Sequence, residues 1–271
     1  MSRTTDTTAT SAGLAGLAGD VRGPVDGAPV VQLHGLTSSR ARDVTLGLDL
    51  TAGQDGLRVL RYDARGHGRS PGPAHPEAYR WLALARDLEQ VADDFSPGVP
   101  VHAVGQSMGA ATILTSAAGH GCTYASMTLC IPPTAWELRG DRAGVYERSA
   151  QFVEEHGLAA YAESTRAEPA PPARGTEVPF TLPDVPESLL PTVFRGAAGN
   201  DLPSRARVAV LGERRIPTLI LAWAGDAAHP VAVAGELHAL LPGSRLVTAR
   251  TPEDVARWPE VIGDFIRGRE R

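Results

Sequence analysis

From Pro29 onward the chain alternates short apolar runs with longer segments of helical period. Such alternation marks strands joined by crossover helices, and it predicts a mostly parallel sheet. The strand candidates are Val30–Leu33, Leu57–Tyr62, Val99–Val104, Tyr124–Cys130, Thr218–Trp223 and Arg245–Thr248. The clearest helix runs from Tyr79 to Phe95, where Trp81, Ala85, Leu88, Val91, Ala92 and Phe95 share one face at steps of three and four. That face should lie on the sheet. Further helices are expected after Ser107, over Val231–Leu241, and from Pro259 to about Arg267.

Between Pro132 and Arg215 the strand signal disappears. Helical stretches at Gly144–Ala162 and Leu189–Gly199 flank a proline-rich passage from Glu168 to Pro186. In doubly wound sheets ligands bind beyond the carboxyl ends of the strands, so an insertion at that edge can roof a pocket. The expected organisation is a flexible tail over 1–20, a core made of 21–131 and 216–271, and a cap over 132–215.

Composition narrows the chemistry. With 271 residues, 42% of them hydrophobic, the chain can bury one large core. A net charge of −5 with no basic block gives no footprint for nucleic acid or an anionic membrane, so a small-molecule or protein partner is expected. All 26 basic residues are arginine, which excludes a lysine Schiff base and a Walker A phosphate loop. Cys122 and Cys130 are too few for a disulfide scaffold or a zinc site and read as free thiols. No metal or cofactor motif occurs. The first twenty residues carry no apolar run of leader or membrane-span length, so a cytoplasmic protein is expected. His75, His102 and His120 fall in no motif and read as surface or packing residues.

The strongest chemical signal is Gly105-Gln106-Ser107-Met108-Gly109, directly after a predicted strand and opening a predicted helix. This is the pattern of a nucleophile elbow: a strained turn lifts the serine hydroxyl clear of the sheet, and a helix N-terminus aims amides at developing negative charge. Leu33-His34-Gly35-Leu36 ends another strand, and Tyr62-Asp63-Ala64-Arg65-Gly66-His67-Gly68-Arg69-Ser70 follows the next. With these motifs the chain resembles the α/β-hydrolase superfamily, from about Val30 to Phe265. The resemblance implies a mostly parallel α/β-hydrolase sheet flanked by helices, with a helical cap inserted after the sixth family strand. It implies Ser107 as nucleophile and the backbone amides of Leu36 and Met108 as oxyanion donors. His34 and His67 match family loop positions that chiefly order their turns.

Ala224-Gly225-Asp226-Ala227-Ala228-His229-Pro230 resembles the family's acid loop and puts Asp226 in the carboxylate position. The family's base is a histidine after the last strand. Here that stretch, Thr248 to Pro259, has none, and the last histidine in the chain is His238. Without a base a serine hydroxyl is a poor nucleophile near pH 7. Three readings follow. In the first, His229 on the acid loop, or His156 descending from the cap, replaces the base; His229 is favoured. In the second, the fold does cyclase, lyase or decarboxylase chemistry without a triad base, with Glu253 or Asp254 as a carboxylate base. In the third, the protein is an inactive ligand-binding module. The favoured reading is an esterase or thioesterase acting on a small or medium apolar acyl substrate. His34, Gln106, His156 and Arg195 are the candidate substrate contacts, Arg195 as a partner for a substrate carboxylate or phosphate or as a solvated helix residue.

Overall fold

The computed structural model describes residues 14–119, 123–166, 170–175 and 178–268. His120, Cys122 and residues 1–13 of the expected tail lie outside the described residues. The strands are β1 (Gly19–Arg22), β2 (Ala28–Leu33), β3 (Leu57–Tyr62), β4 (His102–Gln106), β5 (Ser126–Cys130), β6 (Thr218–Trp223) and β7 (Arg245–Ala249). The helices are α1 (Arg40–Thr45), α2 (Trp81–Phe95), α3 (Met108–Ala118), α4 (Arg142–Arg166), α5 (Leu190–Ala198), α6 (Arg205–Glu213), α7 (Val231–Leu240), α8 (Pro252–Ala256) and α9 (Trp258–Ile266). The sheet runs β1-β3-β2-β4-β5-β6-β7, antiparallel at the β1–β3 edge and parallel elsewhere.

Side chains alternate across this sheet because successive Cβ atoms point to opposite faces. Val31, Leu33, Leu60 and Ala103 join the core that α2, α3, α6 and α7 cover. Val30, Val59, Val104 and Leu219 join the opposite layer, closed by Trp258, Ile262 and Ile266 of α9. On α2 the predicted face is the buried one, and Leu88 and Val91 are fully inaccessible. Each such side chain contributes roughly 1.5–3 kcal/mol through its burial.

Parallel register fixes where the loops meet. Leu33 pairs with Gly105, Gln106 with Cys130 and Cys130 with Leu221. The turns after β2, β4, β5 and β6 therefore open on one edge, the crevice expected to hold a ligand.

Several boundaries differ from those expected. The end of the expected tail over 1–20 belongs to the core, because Leu14 and Leu17 are buried there and β1 begins at Gly19, pairing with β3. The strand expected from Val99 starts at His102, since Val99 is exposed beside Pro100. The segment 132–215 does not leave the core throughout: Leu202, Val208 and Leu211 pack with α3 and α7. A separate apolar cluster joins α4 and α5, with Val153, Val193 and Phe194 at its centre. α4 breaks at Gly157 (φ 81°, ψ 170°), a conformation that glycine adopts without a Cβ clash. After the break Glu187 accepts the Leu158 amide. Where the family's histidine would follow β7 the chain forms α8. Its capping box has Thr251 accepting the Asp254 amide and Asp254 accepting the Thr251 amide. That use leaves Asp254 an exposed cap and removes it as a candidate base, and Glu253 is exposed beside it.

Candidate active site

β4 runs into Ser107, whose backbone sits at φ 50°, ψ −110°, a region disfavoured for a residue with a Cβ. Two glycines allow the bend. A Cβ at Gly105 would lie 2.6 Å from the Gly109 carbonyl carbon, and one at Gly109 would lie 2.7 Å from Leu33 Cβ. The Ser107 amide donates to the Cys130 carbonyl at 3.0 Å, tying the turn to the end of β5.

β6 delivers the other half of the site. Its last residue, Trp223, stacks on Trp258 and donates its indole N–H to Asp226 Oδ2 at 2.7 Å. Asp226 Oδ1 accepts the Ala228 amide at 2.8 Å, which closes a tight loop and turns His229 back towards the acid. His229 Nδ1 lies 2.7 Å from Asp226 Oδ2, and His229 Nε2 lies 2.8 Å from Ser107 Oγ. A neutral imidazole satisfies both contacts by donating from Nδ1 to the carboxylate and accepting the serine proton at Nε2. Asp226 and His229 side chains are 12% and 18% exposed, so solvent screens this chain of contacts only weakly. Burial opposes ionisation of Asp226. The His229 hydrogen bond and charge, with the Trp223 indole and the Ala228 amide, outweigh it and hold the carboxyl down at about 2.

Gly35 approaches the serine closely, since a Cβ built there would lie 3.6 Å from Ser107 Cβ. The amides of Leu36 and Met108 have no acceptor among the described residues. A cavity of about 290 Å³ opens beside Ser107 and His229. Its wall is largely apolar, with Leu36, Leu46, Leu48 and Ile131, and α4 adds Arg142 and Tyr146.

Of the other candidates only Gln106 reaches the cavity, and its side chain is already engaged. Both ring nitrogens of His34 are taken by backbone: Nε2 accepts the Ala64 amide at 2.9 Å and Nδ1 donates to the Gly35 carbonyl at 2.8 Å. Burial lowers its pKa, and it joins two loops instead of meeting substrate. His67 is similar, with Nδ1 donating to the Arg65 carbonyl and burial pushing the ring down to about 3. Gln106 borders the cavity but is 2% exposed, and its amide donates to Asp43 Oδ2 at 2.8 Å. His156 lies on the outer side of α4, half-exposed against the Phe152 ring and Glu155, and does not line the cavity. Arg195 is spent on Glu147 and Glu154 and does not line it either.

Asp43 carries no signal in the sequence. Its buried carboxyl borders the same cavity, accepts from Ser38 Oγ at 2.5 Å and from Gln106, and is pushed up to about 7 by burial. Trp223 is visible in sequence only as the end of a strand beside the acid loop. Cys130 is buried and free, with its thiol pKa raised by burial. Among the described residues no group of three or more His, Cys, Asp or Glu could hold a metal. No described helix is long and apolar enough to cross a membrane.

The family model described as alpha/beta hydrolase fold matches residues 28–256. The chain belongs to the α/β-hydrolase fold family. It is similar to EphD of Mycobacterium tuberculosis, named as an oxidoreductase, with 37% identity over 32% of this chain and 14% of that one. It is also similar to RutD of Variovorax paradoxus, named for carbamate hydrolysis, with 33% identity over 54% of this chain and 52% of that one. The chain thus matches about half or less of the length of these curated relatives. A crystal structure of a hydrolase from Pseudomonas aeruginosa PA01 shares the fold at TM-score 0.73, with 21% identity, covering 98% of this chain and 97% of the other.

Proposed function

We propose that this α/β-hydrolase fold protein is a serine esterase or thioesterase for a small or medium acyl substrate, with a triad whose base sits on the acid's own loop. The observation that carries this reading is the hydrogen bond between His229 Nε2 and Ser107 Oγ, 2.8 Å long, on an imidazole anchored by Asp226. Ser107 Oγ attacks the carbonyl carbon while His229 Nε2 takes the hydroxyl proton. Negative charge on the carbonyl oxygen is met by the amides of Leu36 and Met108, each worth roughly 3 kcal/mol to such a transition state. His229 then protonates the departing alkoxide or thiolate, and a water activated by the same imidazole releases the acyl group. Asp226 holds the imidazole's tautomer and stabilises its cation. Arg142 and Tyr146 border the cavity from α4, which supports a roofing role for the segment after β5. The resemblance to RutD, a relative named for hydrolysis, agrees with this class. Cyclase, lyase or binding-module readings follow from a serine without a base, and the His229 contact weakens that premise.

Treatment of wild type with a fluorophosphonate, read by mass spectrometry, tests the proposal. An adduct on Ser107 is expected between pH 6 and 9, absent in Ser107→Ala and slowed at least a hundredfold in His229→Ala. No adduct in the wild type rejects an activated serine, and an equal rate in His229→Ala rejects the base.

A further inference from the structure

The Ser107 cavity does not end at its own wall. Arg42, Leu46 and Leu48 line both it and a second chamber of about 740 Å³, so the two spaces meet across these side chains. The outer chamber is bounded also by Arg166, Arg174 and Phe180, and no carboxylate is among its described lining residues. Arg166 stacks on Phe180 and faces Glu163 at 3.6 Å, so its charge has a partner. Arg174 differs. It is half-buried and lies over the face of Trp223, with Cζ 5.7 Å from the ring centroid. Its guanidinium makes no hydrogen bond or ion pair among the described residues, and the Asp43 carboxyl acts on it only through space.

Arg42 is held in place, but by neutral groups. Its Nε donates to Thr181 Oγ1 at 2.9 Å and its Nη1 to the Thr37 carbonyl at 3.1 Å. Asp43, the acid next to it in sequence, directs its oxygens to Ser38 and Gln106 instead. Burial draws both guanidinium groups below the ordinary arginine value, and the nearby Asp43 charge, with Asp184 beside Arg42, offsets this only in part. That is the sign expected where cations lose water without gaining a hydrogen-bonded counter-ion. The turn that carries Arg174 is fixed: Pro172 approaches so closely that a Cβ at Gly225 would lie 2.7 Å from its Cδ, and Gly225 sits at φ 81°. Gly225 directly precedes Asp226. Arg174 is thereby seated against the backbone and indole that hold the triad acid.

We infer that Arg174 and Arg42 form an anion subsite, and that the preferred substrates are esters or thioesters carrying a carboxylate or phosphate on the part that extends away from the scissile carbonyl. This rests on the serine-hydrolase reading above and names its substrate class. Guanidinium groups pair well with both anions, and pairing relieves the cost of leaving a half-buried cation without a directly bonded counter-ion. It also reassigns the anion contact from Arg195, which two glutamates already occupy, to arginines that make no ion pair among the described residues.

Two matched esters test it by steady-state kinetics: p-nitrophenyl pentanoate and the p-nitrophenyl monoester of glutaric acid. The ratio of kcat/KM, anionic over neutral, should exceed ten in the wild type. It should fall at least tenfold in Arg174→Gln, chiefly through KM, recover in part in Arg174→Lys, and hold in Arg195→Gln. A wild type that prefers the neutral ester, or an Arg174→Gln ratio equal to wild type, overturns the subsite. Calorimetric titration of Ser107→Ala with glutarate, and separately with inorganic phosphate, reads the anion site without chemistry. Binding of either that is lost on adding Arg174→Gln supports the subsite and identifies the anion. No binding, or binding that survives the substitution, overturns it. Failure of Ser107 to label with fluorophosphonate would instead sink the hydrolase reading, whatever these titrations show.

Discussion

His229 stands three residues after Asp226, so one short loop supplies both acid and imidazole. The Ala228 amide on Asp226 Oδ1 and the Trp223 indole on Oδ2 leave the carboxylate one remaining direction for charge, towards His229 Nδ1. Replacing Asp226 with Asn keeps the shape and changes the tautomer that His229 is held in. Turnover should drop on the order of 10³- to 10⁴-fold, measured as kcat on a p-nitrophenyl ester. A loss below tenfold would show that the carboxylate does not orient the base. The two acids at the site, Asp43 buried and Asp226 partly so, also pull stability in opposite directions with pH. Asp226, held at about 2 against an ordinary 3.8, contributes stability that is present above the ordinary value and lost as pH falls through 2. Asp43, raised to about 7, contributes stability that is present below 3.8 and lost as pH rises through 7. Asp43→Asn should therefore flatten the urea midpoint between pH 4 and 8, where the wild type declines. A variant with the same decline as wild type would mean that another group carries it.

The elbow depends on β4 and α3 approaching without side chains between them. Gly109→Ala would force a methyl to within 2.7 Å of Leu33 Cβ, and overpacking of this kind costs about 1–3 kcal/mol. A methyl at Gly235 in α7 would meet nothing within 4 Å, and Gly235→Ala should stabilise by roughly 0.5–1 kcal/mol through helix propensity. Urea midpoints of the pair check both signs, and equal effects would refute the packing account. The same physics explains which elements are legible in the sequence. β3, β6, α2 and α7 carry long apolar runs or a strong apolar face, and their ends fall within two residues of those expected. β1 is four residues, Gly-Asp-Val-Arg, and is a strand only because the edge of β3 is there to pair with. α6 buries Val208 and Leu211 while Val210 is exposed, too weak a stripe to read without α3 and α7 beneath it. In the site, Ser107 and Asp226 stand in local motifs that mark them. His229 is favoured by proximity in sequence alone, and the turn made by Ala228 that aims it has no signature. Arg174 and Asp43 come near Trp223 and Gln106 only through long-range folding, which no local pattern records.

The segment after β5 rests on the core through α5. A Cβ at Gly196 would lie 2.5 Å from Tyr79 Cβ, so α5 seats tightly on the turn that precedes α2. From that seat α5 supports α4 in two ways. Phe194 is 2% exposed, stacks on Tyr146 with ring centroids 6.1 Å apart, and meets Tyr161 at 5.3 Å. Arg195, its neighbour, faces outward and bridges Glu147 and Glu154 across the partly exposed surface of the same pair of helices. Exposed ion pairs contribute little once side-chain ordering and solvent screening are counted. Loss of a buried aromatic costs about 3–5 kcal/mol and leaves a void. Only the first of these supports reaches the cavity, because Tyr146 lines it beside Ser107 and His229. Phe194→Ala should therefore raise KM for esters severalfold and lower the urea midpoint, while the rate at which a small fluorophosphonate labels Ser107 stays near wild type. Arg195→Ala should shift neither KM nor the midpoint by a comparable amount. If the two variants behaved alike, the coupling between α4 and the pocket would run through surface charge instead of the apolar cluster.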